Sequence, residues 1–324
     1  MKAMTQNIYG PADVLKLMEV PVPVIGAGEV LVQVDAAGID AGVWHLITGK
    51  PFAVHLAGFG VRKPKNPVPG QAFAGRIVEV GPGVTSFSLG DAVYGVCEGA
   101  FAEFARARVK GIAPMPLGLT PEQAAALPIS ATTALKAIRD VGRVKAGQQV
   151  LVLGAGGGVG SYAVQIARAF GADVTGVCSS RKVEFVRSLG VEQVIDYTRD
   201  DLAGCAGKFD LVIDAGGGRR LRVLRRLLVR KGTLVIVGAE GVGGPLLGGA
   251  DRGLRAQVLS LFVSQRMTGM LEIDKTEILS EISSLVLAGK LVPPVDRIFP
   301  LAETVDAIKY AENRKSRGKV VVSN

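Results

Sequence analysis

The chain has 324 residues, of which 48% are hydrophobic and 43 are glycine, so it is long enough for two globular domains and too apolar for a disordered protein. No apolar stretch approaches the roughly 20 residues that a membrane-spanning helix needs, and residues 1–15 lack the basic-then-apolar order of a signal peptide, so we expect a cytoplasmic protein without a membrane partner. The net charge of +9 suits anionic ligands without specifying one, and Cys97, Cys178 and Cys205 have no metal-like spacing.

The chain begins with short segments punctuated by glycine or proline. The segment "EVLVQVDA" alternates apolar and polar positions through Val30, Val32 and Val34. Two further strand-like segments, "GRIVEVGPGV" and "GDAVYGV", follow and are bounded by tight turns. Up to about residue 118, the pattern predicts a β-rich, barrel-like domain.

The pattern changes at "LTPEQAAAL". Thr120 as N-cap, Pro121 at the first helical position and Gln123 three residues after the cap predict a helix that begins with a capping box. From Gln149 onward, apolar strands alternate with amphipathic helices, as in "QQVLVLG", "YAVQIARAFG", "ADVTGVC", "RKVEFVRSLG", "EQVIDY" and "KFDLVIDAG". This alternation is typical of the α/β class, in which a doubly wound parallel sheet carries helices on both faces.

The turn after the first of these strands reads "GAGGGVGS" over residues 154–161. Glycines at such a strand–turn–helix make the tight turn, let a pyrophosphate approach the backbone and let the helix pack closely on the strand. The spacing is Gly154-x-x-Gly157-x-x-Gly160 rather than a strict GxGxxG, but the flanking strand and helix favour the same function. We therefore predict dinucleotide binding by Gly154, Ala155, Gly157, Gly158, Val159 and Gly160.

The end of the second strand distinguishes the two pyridine dinucleotides. NAD-preferring sites usually carry an acidic residue there for the ribose 2′-hydroxyl. This chain instead has "TGVCSSRK", with no carboxylate between Val174 and Lys182. Hydroxyls and cations suit a 2′-phosphate, and cations at the start of a helix oppose its dipole unless an anion binds there. The predicted cofactor is NADPH, held by Ser179, Ser180, Arg181 and Lys182; the alternative is that Arg181 and Lys182 form a solvated first helical turn.

Positive charge is densest in "GRRLRVLRRLLVRK". Leu221, Leu224 and Leu228 repeat at helical spacing, which places the arginines on the outer face of a helix. A solvated helix surface explains these arginines, and the lack of interleaved aromatic residues argues against a nucleic-acid partner.

From about residue 265 the chain returns to a mixed pattern and finishes in the strand-like "GKVVVS". We therefore predict a β-rich substrate domain of residues 1–119 with 265–324, and a dinucleotide-binding domain of residues 120–264.

Several segments together resemble the medium-chain dehydrogenase/reductase superfamily. They are "AAGID", "NPVPGQAFAGRIVEVGPGV", "GDAVYGV", "ALPISATTALKAI", "VLVLGAGGGVGSYAVQIARAFGADVTG", "VRSLGVEQVIDY" and the terminal "RGKVVV". The glycine pattern and the short length are most similar to the zinc-free quinone oxidoreductase, or zeta-crystallin-like, branch. The resemblance implies a Rossmann-type domain and a GroES-like barrel domain.

The same resemblance shows which zinc ligands are missing. Zinc-dependent relatives have a cysteine near the "GID" segment, a Gly-His-Glu where this chain has Gly70-Gln71-Ala72, and a lobe with four clustered cysteines. Here Asp40 or Ala41 occupies the cysteine region, and Cys97 stands alone. Catalytic zinc needs about three protein ligands and an open position, so we predict no metal site.

Without zinc, the simplest reaction is hydride transfer to an acceptor that needs little polarisation, such as a quinone or an α,β-unsaturated carbonyl compound. Asp40 stands where the branch often has an asparagine. If protonated, Asp40 could hydrogen-bond a substrate oxygen; otherwise it caps the helix through Trp44 and His45. His45 could donate the proton that follows the hydride, or lie on the helix surface. Trp44 could line the substrate pocket or belong to the core.

Further contacts and an assembly are implied by the resemblance alone. Thr133 and Gly238 match positions beside the nicotinamide, Tyr197 matches a tyrosine beside the adenosine, and Lys319 matches a lysine near the cleft. The simpler alternatives are that Tyr197 packs and Lys319 solvates a strand edge. A homodimer is expected because relatives commonly form one. The loop of residues 50–69 is long enough to form a substrate rim or a dimer contact.

Other functions stay open on the sequence. An enoyl-thioester reductase of the same superfamily usually has a tyrosine after the "GID" segment, and residues 41–69 contain none. An alcohol or aldehyde dehydrogenase that uses another metal, or none, is a second alternative. A non-catalytic NADPH-binding protein is a third, and turnover of quinones and enones would separate it from a reductase.

Overall fold

A computed structural model describes residues 1–52, 55, 59–238, 250–270 and 276–324. The chain folds into two compact units, residues 1–132 with 274–324 and residues 133–273. The boundaries between the two units, after residues 132 and 273, lie later in the sequence than the predicted domain limits of 120 and 265. One reason is that the strand at residues 266–269 pairs within the sheet of the second unit. Part of the loop of residues 50–69, including Leu56, lies outside the described residues.

The secondary structure follows the predicted change from strands to alternating strands and helices. The strands are β1 (Lys2–Thr5), β2 (Lys16–Glu19), β3 (Glu29–Ile39), β4 (Ala72–Val80), β5 (Ala92–Val96), β6 (Phe104–Arg108), β7 (Ile112–Pro114), β8 (Gln149–Leu153), β9 (Asp173–Cys178), β10 (Gln193–Asp196), β11 (Phe209–Asp214), β12 (Leu228–Ile236), β13 (Arg266–Gly269), β14 (Val295–Pro300) and β15 (Lys319–Ser323). The helices are α1 (Ala41–Thr48), α2 (Pro121–Ala125), α3 (Ser130–Leu135), α4 (Gly158–Ala169), α5 (Val183–Ser188), α6 (Leu221–Leu227), α7 (Ala250–Ser260), α8 (Thr276–Leu287) and α9 (Thr304–Glu312). Of the helices described, none has the length and apolar character needed to cross a membrane.

The first unit is built around the long strand β3. The main sheet runs β14–β15–β3–β4–β5–β7, and β6 also pairs with β3. Alternation along β3 buries Val30, Val32 and Val34 in a core that includes Phe73 and Phe101. A β-rich first unit is therefore confirmed.

The C-terminal segment returns to this sheet, as expected from "GKVVVS". Strand β15 pairs antiparallel with the end of β3, and Val320 lies opposite Ile39. Continuing that register by one residue sets Lys319 opposite Asp40, the residue that follows β3 and precedes α1. The last strand of the chain therefore meets the start of α1.

The second unit has a parallel sheet in the order β10–β9–β8–β11–β12–β13. Each of its strand pairs is parallel. Strands β8 and β11 are adjacent in this sheet but are separated in the sequence by β9 and β10, so the strand order reverses between them. In open α/β sheets, ligands bind outside the carboxyl ends of the strands at this reversal. The predicted doubly wound sheet is confirmed, and the expected ligand position is the end of β8.

The capping box at α2 is also confirmed. The Gln123 backbone N–H donates to Thr120 Oγ1 at 3.3 Å, and the Thr120 N–H donates to Gln123 Oε1 at 3.0 Å. Pro121 occupies the first turn, where its missing N–H costs no helical hydrogen bond. These local interactions explain why the helix could be located from the sequence.

Candidate active site

The glycine turn lies directly after β8 and ends at the start of α4. Gly154 has a φ of +80°, in the left-handed region that favours glycine. A Cβ on Gly160 would lie 2.0 Å from the carbonyl oxygen of Gly154, so the first turn of α4 packs against the backbone of the turn itself. A side chain at either position would disrupt the turn. The predicted strand–turn–helix is therefore present.

The residues of this turn divide into packing and surface positions. Ala155 and Gly160 are buried, whereas Gly157, Gly158 and Val159 are partly exposed. The partly exposed residues lie at the N-terminus of the twelve-residue helix α4, where backbone N–H groups lack intrahelical partners. The geometry of the turn therefore matches a binding surface for a phosphate group.

The residues predicted to bind a 2′-phosphate follow β9. Ser179 precedes a short 3-10 turn formed by Ser180, Arg181 and Lys182. Arg181 is exposed to solvent. Lys182 Nζ donates to the carbonyl oxygen of Gly156 at 3.1 Å, which brings this lysine against the glycine turn. Lys182 therefore borders the glycine turn after β8, and Arg181 precedes it in the sequence.

The structure assigns Ser180 a different hydrogen bond from the one predicted. Ser180 Oγ donates to Asp196 Oδ2 at 2.5 Å and lies 2.7 Å from Thr198 Oγ1. The hydrogen bonds from Ser180 and Thr198 lower the pKa of Asp196 below its ordinary value. Because a hydroxyl has one proton, Ser180 has none left for a phosphate in this arrangement. Asp196 could not be assigned to this site from the sequence because it belongs to β10, which pairs with β9.

Three of the remaining predicted cofactor contacts, Tyr197, Thr133 and Gly238, lie in the second unit. Tyr197 follows β10 and is 52% exposed, so it is not a core residue. Thr133 is buried in α3. Gly238 follows β12, and its N–H donates to the carbonyl oxygen of Asp214 at 3.0 Å. A Cβ on Gly238 would lie 2.6 Å from the Ala215 oxygen, so close packing against the end of β11 requires glycine there.

A second turn at the strand reversal was missed by the sequence reasoning. It follows β11, and Asp214 Oδ1 accepts the Gly217 N–H at 3.0 Å. Arg252 of α7 approaches the other carboxylate oxygen of Asp214 at 2.6 Å, and both side chains are buried. The segment "DAGGG" after an apolar strand was the available signal. Gly216 packs against Gly154, so this ion pair supports the second wall of the glycine turn.

In the first unit, Asp40, Lys319 and Ser130 form a buried cluster. Lys319 Nζ donates to Asp40 Oδ1, to the Ile39 oxygen at 2.8 Å and to Ser130 Oγ at 3.1 Å. Ser130 Oγ donates to the same Asp40 oxygen at 2.5 Å. Asp40 occupies the N-cap position of α1 without a side-chain capping bond. The side-chain cap suggested for Asp40 and the solvated position suggested for Lys319 are therefore not found.

Helix α1 presents Trp44 and His45 on its partly exposed side, while Val43 and Ile47 are buried. The rings of Trp44 and His45 make an edge contact, with centroids 5.1 Å apart. His45 Nδ1 lies 2.5 Å from the Lys50 oxygen, which favours a proton on that nitrogen. Proton donation by His45 through Nε2 then requires the imidazolium form. The Trp44 side chain is hydrogen-bonded to Glu312, and this bond offsets part of the increase in the pKa of Glu312 caused by its burial.

The side chains near Asp40 do not fit a catalytic zinc site. The Asp40 oxygen Oδ1 is occupied by an ammonium and a hydroxyl, and Gln71 offers only a neutral amide. Within the described ranges, no group of three His, Cys, Asp or Glu residues is arranged to hold a metal ion. Burial raises the pKa of the Cys97 thiol, which disfavours the thiolate that zinc requires.

Comparisons with known proteins match both units. Residues 26–117 match the alcohol dehydrogenase GroES-like domain, and residues 189–322 match the zinc-binding dehydrogenase family. A solved quinone oxidoreductase from Coxiella burnetii has a TM-score of 0.85 and 30% identity, covering 100% of this chain and 99% of that one. The predicted combination of GroES-like and Rossmann-type domains is confirmed.

Two curated relatives are similar over the whole chain. The chloroplast envelope quinone oxidoreductase homolog of Arabidopsis thaliana is 32% identical, covering 99% of this chain and 98% of the relative. An NADPH-dependent alkenal/one oxidoreductase, also chloroplastic and from Arabidopsis thaliana, is 33% identical, covering 99% of this chain and 79% of the relative.

Proposed function

We propose, given that the chain belongs to the medium-chain dehydrogenase/reductase superfamily, that it is an NADPH-dependent reductase of quinones or α,β-unsaturated carbonyl compounds. Within the superfamily it is an oxidoreductase of the quinone oxidoreductase branch and uses a nicotinamide cofactor. One observation carries the proposal. The chain has a glycine turn of the dinucleotide-binding type, and over its whole length it is similar to oxidoreductases named for quinones and for alkenals and alkenones.

The preference for NADPH is supported by charge at the end of β9. Arg181 is exposed beside Lys182, and Asp196, which belongs to the neighbouring strand β10, already accepts from Ser180 and Thr198. A 2′-phosphate would pair with the cations, whereas a ribose hydroxyl would gain little from them. In this proposal the cofactor is held by Gly154, Ala155, Gly157, Gly158, Val159, Gly160, Ser179, Arg181, Lys182 and Tyr197, with Thr133 and Gly238 on the nicotinamide side.

The cofactor, when bound, supplies the hydride, so the chain has to bind, orient and exclude water. We assign the substrate side to Trp44 and His45 of α1, since Asp40 is occupied by Lys319. His45 is the proposed proton donor to the reduced acceptor, and Trp44 a wall of the pocket. No metal takes part in this proposal, because the donor set near Asp40 does not suit zinc.

We also propose that the chain forms a homodimer through the second unit. Strand β13 is an edge of its sheet. Beside it, α7 and the following turn expose Leu254, Val258, Leu261 and Phe262, which recur at helical spacing. Pairing two copies here would bury the edge of β13 that no described strand covers, together with the apolar side chains. A cytoplasmic location and the absence of a nucleic-acid partner stay predictions.

The proposed reaction is tested by the oxidation of NADPH with a panel of quinones, enones, simple aldehydes and an enoyl thioester. We expect quinones or enones to be reduced with NADPH much faster than with NADH. Faster reduction of the enoyl thioester, or of the simple aldehydes, would favour the other members of the superfamily. Saturable NADPH binding without turnover of any acceptor would indicate a binding protein and contradict the proposal.

A further inference from the structure

The C-terminal segment makes two separate contacts with α1, the short helix that carries Trp44 and His45. One contact is Lys319 of β15, which binds Asp40 at the start of the helix. The other is Glu312 of α9, which is hydrogen-bonded to Trp44. Both contacts join residues that are distant in the sequence, and all of these residues lie in the first unit.

The hydrogen bonds of Lys319 are all made inside the protein. An ammonium group has three N–H donors, and the acceptors here are the Ile39 carbonyl, the Asp40 carboxylate and the Ser130 hydroxyl. Lys319 is 2% exposed. It therefore has neither the surface nor a spare donor with which to bind a cofactor, the role that the resemblance suggested.

Asp40 is committed to the same cluster. An aspartate at an N-cap ordinarily accepts a backbone N–H from the first turn of its helix, and Asp40 does not. Its Oδ1 accepts from Lys319 and Ser130, whereas its buried Oδ2 has no hydrogen-bond partner among the described residues. Compensation of this buried charge thus depends on Lys319, and losing either partner would leave the other charged and unpaired.

We propose that Lys319 is a positioning residue for the substrate site: by binding Ile39, Asp40 and Ser130 together, it fixes the start of α1 and hence the positions of Trp44 and His45. The Glu312 contact secures Trp44 from the C-terminal helix. The end of the chain thereby determines the geometry of a helix formed near its beginning. The kinetic part of this inference depends on the proposed reductase function.

Trp44 provides a test that needs no turnover, because it is the only tryptophan in the chain. The variants are Lys319→Met and the double variant Asp40→Asn/Lys319→Met, which removes both buried charges and is therefore the better candidate to fold. Glu312→Gln calibrates the signal by changing the direct partner of Trp44. Arg106→Met is the control, since it removes an ion pair with Glu29 at the opposite end of β3.

In the Lys319→Met and double variants, we expect Trp44 emission to shift to longer wavelength and its quenching by acrylamide to increase, with neither change in Arg106→Met. We expect kcat to fall about tenfold or more, since misplacing a reacting or positioning group by about 1 Å can cost roughly 100-fold. The Kd for NADPH should stay unchanged, because the glycine turn lies in the other unit.

Two results would overturn the inference. One is unchanged Trp44 emission and quenching in the folded double variant, whatever happens to kcat. The other is a large rise in the Kd for NADPH at constant kcat, which would make Lys319 a cofactor ligand. If the unmodified protein reduces no acceptor, the proposed function fails, but the fluorescence comparison still decides whether Lys319 positions α1.

Discussion

The proposed preference for NADPH depends, at the scale of single residues, on Arg181. This exposed guanidinium forms no hydrogen bond or ion pair with any residue in the described part of the chain. It lies beside Lys182, which contacts the glycine turn, and it follows the strand end where a 2′-phosphate would bind. An unpaired cation at this position is more useful to a ligand than to the fold, so its removal should affect binding and not stability.

Replacing Arg181 with alanine should weaken NADPH binding by roughly 10- to 100-fold, the usual value of a hydrogen bond to a charged group, and leave NADH binding unchanged. Fluorescence titration with both nucleotides measures this. Arg187→Ala is the matched control, because Arg187 is an exposed arginine of α5 that pairs with Glu184. Equal weakening of NADPH and NADH by Arg181→Ala would show that Arg181 does not contact the 2′-phosphate.

The ion pair of Arg252 and Asp214 should instead contribute to stability. Both side chains are buried, and Asp214 also accepts the Gly217 N–H in the turn after β11. Arg252→Met leaves a buried carboxylate without its partner, so it should lower the free energy of unfolding by about 3–5 kcal/mol. Urea denaturation measures the change. Arg187→Met, at a surface ion pair, should cost at most about 1 kcal/mol, and an equal effect of the two variants would contradict the assignment.

Two glycines determine the conformation of the β8–α4 turn at the scale of secondary-structure elements. Gly154 needs a positive φ, and Gly160 allows the first turn of α4 to touch the Gly154 carbonyl. The sequence revealed this turn because its requirements are local: an apolar strand, small residues and an amphipathic helix within one short segment. The capping box of α2 was predictable for the same reason.

Gly160→Ala should abolish NADPH binding, because its Cβ would lie 2.0 Å from a backbone oxygen and force the turn open. Calorimetric titration measures the affinity, and circular dichroism shows whether the sheet and helices persist. The matched control is Gly204→Ala, where an added Cβ meets nothing within 4 Å. Retention of wild-type affinity by a folded Gly160→Ala protein would mean that the nucleotide binds elsewhere.

Contacts between distant elements could not be predicted from the sequence. Lys319 and Asp40 are 279 positions apart, and Ser130 arrives from a third segment. Asp196 likewise reaches Ser180 only because β9 and β10 are neighbours in the sheet. The residue types of Lys319, Asp40 and Ser180 suggested ligand binding. In the folded protein, however, these side chains form hydrogen bonds with other protein side chains. The sequence therefore predicted the elements and the glycine turn better than the roles of individual polar side chains.

At the scale of the whole molecule, β13 is the last strand of its sheet among the described residues, and α7 beside it exposes apolar side chains. Phe262 is 80% exposed and Leu261 is 81% exposed, which is unusual for large apolar side chains that lie together. A second copy of the chain is the simplest partner for this surface, because an isologous contact pairs the same edge with itself.

The dimer proposal is tested by light scattering after size-exclusion chromatography. We expect the unmodified chain to have the mass of a dimer and Phe262→Glu to shift it toward the monomer, since a charge would be buried at the contact. Leu117→Glu is the control, because Leu117 is 89% exposed in the other unit. A monomeric unmodified chain, or a dimer unaffected by Phe262→Glu, would contradict the proposed interface.

The central claim is that this chain binds NADPH at the glycine turn and delivers its hydride to a conjugated carbonyl acceptor. Its most direct measurement is label transfer: NADPH carrying deuterium at the transferable C4 position is incubated with the protein and an enone, and the product is examined by mass spectrometry and NMR. We predict one deuterium at the β-carbon of the reduced enone, and no product with folded Gly160→Ala. Product without deuterium, or no reduction of any enone or quinone by protein saturated with NADPH, would contradict the account.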